Sequence, residues 1–190
     1  MPALSTPFLV SVYGWFALEI GLVVRDLVRQ KARLGQDRGT RAIVAFSLAG
    51  SIALAIVLGA RVPALNTPVP TAFAIAGLVA IWVGLAVRVW AVLTLGGSFS
   101  TFLQVNADQV VVTRGPYRWV RHPSYTGLLL VALGFGLGAG NWLSLAICAV
   151  IPPLGLLPRI AVEESQLVRQ LGDGYRRYQR ATHRLVPGLW

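Results

Sequence analysis

The fold is decided by residues 124–158, which read SYTGLLLVALGFGLGAGNWLSLAICAVIPPLGLLP. This stretch carries no charged side chain, and its two apolar runs are separated only by Gly138-Ala-Gly-Asn141. A helix needs about 20 mostly apolar residues to cross a hydrocarbon core of about 30 Å. The stretch therefore predicts two short spanning helices, at 124–140 and 142–158, that form a tight antiparallel hairpin.

Three further apolar runs of membrane length precede this hairpin, at residues 8–24, 42–60 and 69–95. Of the 190 residues, 55% are hydrophobic and only 13% are charged, so polar groups are too few to coat a water-soluble globule. We expect one all-α domain, 1–190, a polytopic membrane helix bundle with about five transmembrane helices. Pro152 and Pro153 each lack a backbone donor and predict a kink in the fifth span.

Basic residues are concentrated on one face of this five-span topology. Residues 25–41, 114–121 and 159–184 hold 15 of the 17 Lys and Arg residues, whereas Arg61 lies on the other face and Arg88 within a span. By the positive-inside rule, the N-terminus is predicted outside and the C-terminus in the cytoplasm. The formal charge of +10 thus suits a lipid headgroup surface better than a nucleic acid.

Two polar stretches, 96–127 and 159–190, consequently face the same compartment and are predicted to build one site. In the first, Pro123 suits the first turn of the fourth span and places His122 at the helix entrance. In the second, adjacent Glu163 and Glu164 lie just beyond the fifth span, and 161–180 predicts an interfacial helix broken near 172–174. Basic and aromatic residues also flank many ordinary spans, so a simple anchoring role is the alternative.

Two charged residues lie inside predicted spans at similar depths. Glu19 is about 9 Å from the Arg25 end of the first span, and Arg88 is about 12 Å from the Gly96 end of the third. Intramembrane charges are costly and are usually paired or functional. We predict that Glu19 and Arg88 form a pair or line the site, with snorkelling to the interface as the alternative for Arg88. The single cysteine, Cys148, leaves no thiol-rich metal site.

The second half of the chain resembles the isoprenylcysteine carboxyl methyltransferase family and its phospholipid methyltransferase relatives. The resemblance covers about 88–190. Its motifs are Arg88 with Trp90, Leu95-Gly-Gly-Ser-Phe99, Thr113-Arg-Gly-Pro-Tyr117, Arg121-His-Pro-Ser-Tyr-Thr-Gly127, Glu163-Glu164, Gly172, Tyr175, Tyr178 and Pro187. The Arg-His-Pro-x-Tyr element also occurs in membrane sterol reductases, whereas its combination with the Glu pair and the Gly-x-x-Tyr-x-x-Tyr tail is more specific.

The resemblance implies an integral membrane methyltransferase that uses S-adenosylmethionine and a lipophilic acceptor. It assigns the cofactor to Tyr117, Arg121, His122, Pro123, Tyr125, Gly127, Glu163 and Glu164. It offers Arg184, Arg88 and Glu164 for catalysis or acceptor binding. Either of the two glutamates would hold the cofactor ammonium, and the resemblance does not choose between them. Abundant Ala, Gly and Arg suggest a bacterial source, and hence the inner membrane.

Two other functions compete with this interpretation. The first is a membrane reductase that uses NADPH, because sterol reductases share the Arg-His-Pro-x-Tyr element. The second is a non-catalytic scaffold whose basic loops bind anionic lipid. No Gly-x-Gly-x-x-Gly follows a predicted strand, so a Rossmann domain is not expected.

Overall fold

The computed structural model describes residues 6–28, 39–98 and 111–188, and these are almost entirely helical. Five α-helices account for most of them: α1 Thr6–Val28, α2 Thr40–Arg61, α3 Pro70–Leu95, α4 Pro123–Gly138 and α5 Trp142–Ala181. Three short 3-10 helices lie between them, at Pro63–Leu65, Gly96–Ser98 and Gly115–Arg118. Within the described ranges, strand pairing is limited to two isolated bridges.

The predicted all-helical membrane fold is confirmed, and each predicted span coincides with a helix. Four helices, α1, α2, α3 and α5, are long and apolar enough to cross a membrane. The fifth, α4, is apolar but has only 16 residues, which corresponds to about 24 Å. Part of the predicted site region, 99–110, lies outside the described residues.

Contacts at the two ends of the bundle show that α2 and α5 run antiparallel. At one end, Asn141 before α5 donates through Nδ2 to Val62 O and Asn66 Oδ1, both at 3.0 Å, just after α2. At the other end, Arg159 of α5 donates through Nη1 to Oγ1 of Thr40, where α2 begins, at 3.3 Å. The predicted hairpin of α4 and α5 therefore returns residues 159–164 to the end where α4 starts.

Helix α5 is longer than the predicted fifth span. It continues through Pro152, Pro153 and Pro158. A helix surrounded by neighbouring helices tolerates proline because local adjustments compensate for the lost hydrogen bonds, and Pro152 is fully buried. The helix runs on to Leu171, so the start of the predicted interfacial helix at 161–180 is a continuation of the span and not a separate helix. The predicted break is confirmed at Gly172, where φ is 57° and ψ is −134°.

Glycines bring the backbones of α3 and α4 into direct contact. Gly77 packs on Gly134, and Gly84 packs on Gly127, so each helix presents two glycines seven residues apart. A Cβ on Gly84 would lie 2.6 Å from Gly127 O and 2.9 Å from Val131 N. In lipid, such small residues allow the close packing that stabilises helix pairs.

The substitution Gly84→Ala is predicted to destabilise the bundle, because the added methyl group meets backbone atoms that cannot move away. Overpacking of this kind costs about 1–3 kcal/mol. The matched control is Gly50→Ala in α2, where no atom lies within 4 Å of the new Cβ. Melting in detergent should show a lower midpoint for the first variant only. A midpoint for Gly84→Ala equal to that of Gly50→Ala would contradict the packing.

Candidate active site

The site is built where the start of α4 meets the chain that follows α5. Pro123 is the first residue of α4 and His122 precedes it, as the sequence predicts. The returning chain pairs with this segment through three backbone hydrogen bonds. Arg121 N donates to His183 O at 2.7 Å, His122 N to Arg184 O at 3.0 Å, and His183 N to Trp119 O at 3.0 Å. The two polar stretches therefore form one structure.

Glu164 is the centre of this structure. Its Oε1 accepts from Arg121 Nε at 2.8 Å and lies 3.2 Å from His122 Nε2, while Oε2 accepts from Arg184 Nε at 3.3 Å. The carboxylate is buried, in the part of α5 beyond its apolar first half. Burial opposes its ionisation, but hydrogen bonds from His122 and Arg121 outweigh this effect and lower the pKa of Glu164 to about 2. Glu164 is therefore a permanent anion at neutral pH.

Glu163 occupies a different environment although it is the adjacent residue. Its Oε2 accepts from the Tyr125 hydroxyl at 2.7 Å, and its Oε1 lies 4.0 Å from His122 Nδ1. Arg159 Nε in turn donates to the Tyr125 hydroxyl at 3.2 Å. The side chain of Glu163 is 29% exposed, compared with 8% for Glu164. The Glu163 carboxylate is therefore accessible, whereas the Glu164 carboxylate is enclosed by cationic side chains of the protein.

Aromatic side chains form another part of the site. The rings of His122 and Tyr125 are stacked, with centroids 5.6 Å apart and planes inclined by 14°. Tyr117 is buried in the 3-10 helix Gly115–Arg118, and its carbonyl accepts from the Tyr178 hydroxyl at 2.7 Å. Burial, reinforced by the negative charge of Glu163, raises the pKa of Tyr117 well above its usual value. Its hydroxyl is therefore protonated at neutral pH.

Arg121 binds three parts of the chain together. Besides Glu164, its guanidinium donates through Nη1 to the carbonyls of Gln179 and Thr182, at the end of α5. The family resemblance implies that Arg121 favours the cofactor carboxylate. In the structure its Nε and Nη1 donate within the protein and hold the returning chain against α4.

The structure also confirms the predicted pair between Glu19 and Arg88. Arg88 donates through Nε and Nη2 to the two Glu19 oxygens, at 2.5 and 2.6 Å. Its Nη1 donates to Ser124 Oγ at 2.6 Å, a partner that the sequence does not reveal. Gly127, in the second turn of α4, packs against the backbone of Arg88, which lies seven residues before the end of α3. Helix α4 therefore begins below the end of α3, and the site is recessed into the bundle.

Two of the predicted cofactor residues have mainly packing contacts. Gly127 lies against Gly84 O and the backbone of Arg88, in the interface of α3 and α4. Pro123 is fully buried at the start of α4. Among the residues that sequence reasoning missed, Arg159 contacts both Tyr125 and Thr40, and Ser124 contacts Arg88. A buried serine directly after a helix-starting proline is a weak signal for such a contact.

The helices and this recessed charged site define an integral membrane protein with a polar site at one end of its bundle. Residues 76–169 match the family model described as the isoprenylcysteine carboxyl methyltransferase family, and this range includes His122, Glu163 and Glu164. The chain belongs to the isoprenylcysteine carboxyl methyltransferase family, as the sequence motifs indicate.

Two curated relatives and one solved structure illustrate the similarity. The chain is 35% identical over 103 residues to a protein-S-isoprenylcysteine O-methyltransferase of Schizosaccharomyces pombe, a match over 53% of this chain and 44% of the relative. It is 34% identical to the corresponding protein A of Arabidopsis thaliana, over 53% and 52% of the two chains. The chain thus spans about half the length of these relatives.

The solved structure is described as the eukaryotic intramembrane Ras methyltransferase ICMT. Compared with this chain, it has a TM-score of 0.66 and a sequence identity of 23%. The match covers 98% of this chain and 70% of the solved one. At this identity the likeness shows the fold alone. It extends over α1 and α2, which lie outside the range of the family model.

Glu164→Gln is predicted to destabilise the site strongly, because it leaves buried Arg121 without its carboxylate partner. Breaking a buried ion pair from one side costs on the order of 3 kcal/mol. Glu163→Gln, at the adjacent and more exposed position, should cost clearly less. Melting curves of both variants in the same detergent test the contrast. Equal losses in the two variants would contradict the central position of Glu164.

Proposed function

We propose that this chain is an S-adenosylmethionine-dependent methyltransferase that acts on a lipophilic acceptor at the cytoplasmic face of a bacterial inner membrane. The observation that carries the proposal is that the family match and the site coincide: the matched range contains Arg121, His122 and Tyr125, which converge on Glu163 and Glu164. The two curated relatives described above are protein-S-isoprenylcysteine O-methyltransferases, which favours the carboxylate of an isoprenylcysteine-like or other lipid-linked acceptor.

The residues present fit a cofactor that carries an ammonium group. Glu163 is partly exposed, and Tyr125 orients one of its oxygens, so we assign Glu163 to the ammonium. Glu164 is enclosed by Arg121, His122 and Arg184 and would organise the site without contacting the cofactor. His122 and Tyr125, stacked at the start of α4, would line the pocket together with Tyr117. Pro123 and Gly127 would support it through packing.

The proposed chemistry needs alignment more than proton transfer. When bound, S-adenosylmethionine supplies an electrophilic methyl group on a sulfonium. A carboxylate acceptor is already ionised near neutral pH, so no general base is required. The chain's task is to orient the acceptor and exclude water. Arg184, whose side chain is 37% exposed beside Glu164, is the candidate for holding the acceptor carboxylate.

The acceptor's apolar portion is proposed to remain in the lipid. The helices expose large apolar side chains such as Leu93, Ile75 and Leu154, as expected for surfaces that face hydrocarbon. The recessed start of α4 places His122 and Tyr125 below the end of α3. A lipid-anchored carboxylate would therefore meet the site without leaving the bilayer.

S-Adenosylhomocysteine is predicted to bind the detergent-purified protein, and NADPH is not. A ligand that binds only the folded state raises the melting temperature by mass action, and calorimetric titration gives its affinity. Glu163→Gln should weaken binding about tenfold or more through loss of a charge-assisted contact. The matched control is Asp173→Asn, which also removes one carboxylate, at an exposed ion pair with Arg176. Binding of NADPH alone would favour the reductase, and binding of neither ligand would favour the scaffold.

The orientation of the bundle is predicted separately. In a Cys148→Ser background, Arg176→Cys should react with an impermeant thiol reagent only from the cytoplasmic side. Ala64→Cys, in the exposed connection between α2 and α3, should react only from outside. The opposite labelling pattern in intact and inverted vesicles would place the site in the compartment without the cofactor.

A further inference from the structure

Arg88 joins three helices inside the bundle. It belongs to α3, Glu19 to α1 and Ser124 to the first turn of α4. The Glu19 carboxylate occupies Nε and Nη2, and Ser124 Oγ occupies Nη1. Arg88 is only 4% exposed. Each of its three guanidinium nitrogens therefore has a partner within the protein, which leaves an acceptor carboxylate no open side of the group.

The hydrogen bond between Arg88 and Ser124 is linked to the site through the position of Ser124 in the chain. Ser124 follows His122 by two residues and directly precedes Tyr125 in the first turn of α4. The side chains of these two neighbours approach Glu163 and Glu164. The guanidinium fork is planar and rigid, and two parallel bonds to Glu19 fix its plane. Its third nitrogen therefore fixes the depth and rotation of the helix start.

We propose that Arg88 is a positioning residue for the site and not a ligand of the acceptor. Glu19 orients Arg88, Arg88 holds Ser124, and Ser124 keeps His122 and Tyr125 aligned with the glutamate pair. This inference rests on the proposed function, because it concerns the cofactor pocket assigned there. It also gives α1, which lies outside the family match, a part in the site.

The alternative is that the bond to Ser124 only stabilises the bundle. A matched residue separates the two roles. Ser144 of α5 is also buried, and its Oγ also forms a hydrogen bond across helices, in this case donating to Ala55 O at 2.7 Å, at the opposite end of the bundle. Ser124→Ala and Ser144→Ala therefore each remove one buried interhelical hydrogen bond, and only the first lies next to His122.

The test compares the two variants by calorimetric titration with S-adenosylhomocysteine. Ser124→Ala should raise the dissociation constant about fivefold or more, as expected for one lost hydrogen bond. Ser144→Ala should leave it unchanged, although both variants lower the melting temperature. Glu19→Gln should also weaken binding, because Arg88 loses its fixed orientation. Unchanged affinity in Ser124→Ala and Glu19→Gln, or equal weakening in Ser144→Ala, would overturn the proposal.

A second measurement needs no ligand, so it judges the positioning role even if the proposed function fails. The chain has two histidines, His122 and His183. In ring-labelled protein, Ser124→Ala should shift the His122 signals, and Ser144→Ala should leave both histidines unchanged. An unshifted His122 signal in Ser124→Ala would overturn the proposal independently of any binding result.

Discussion

The site depends on the interactions of one enclosed carboxylate, that of Glu164. A buried anion is tolerated only when cations and hydrogen-bond donors surround it, and here they come from separate parts of the chain. Arg121 and His122 precede α4, and Arg184 follows α5. Removing the carboxylate would leave these donors facing each other. Because the Glu164 carboxylate binds donors from both segments, it holds the chain that follows α5 against the start of α4.

The depth of the site follows from a second constraint, the close packing of α3 and α4. Glycines at Gly77, Gly84, Gly127 and Gly134 let the two backbones touch. This contact places Gly127 against the backbone of Arg88, so α4 begins below the end of α3. A recessed polar site suits a reaction between a polar cofactor and a lipid-anchored acceptor. Exclusion of water from such a recess would strengthen the electrostatic interactions within it.

Much of the fold is predictable from the sequence, because apolar length fixes where helices cross a membrane. The hairpin of α4 and α5 follows from 124–158, and it also places His122 and the glutamate pair at one end. The depths of Glu19 and Arg88 predict their pairing. The division of labour between Glu163 and Glu164 is not predictable in this way. It depends on how α5 is rotated about its axis, and two adjacent identical residues carry no sequence signal for which of them faces Arg121 and His122.

Contacts between helices were unpredictable for the same reason. Ser124, Asn141 and Arg159 each bind a residue on another helix, and only the packed structure shows which faces meet. The length of α5 is likewise not evident from the sequence, because Pro152 and Pro153 lie within the continuous helix. The glycine contacts between α3 and α4 are also not predictable, because the sequence does not distinguish a glycine that faces lipid from one that faces a neighbouring backbone.

The most direct measurement of the central claim is methyl transfer itself. The purified protein, reconstituted in vesicles, would be given S-adenosylmethionine labelled in its methyl group and a prenylated cysteine with a free carboxylate. We predict label in the lipid acceptor that mild base releases as methanol, as expected for a methyl ester, and loss of this product in His122→Ala. Binding of the cofactor analogue without any base-labile product, across acceptors of different chain length, would contradict methylation of a lipid-linked carboxylate.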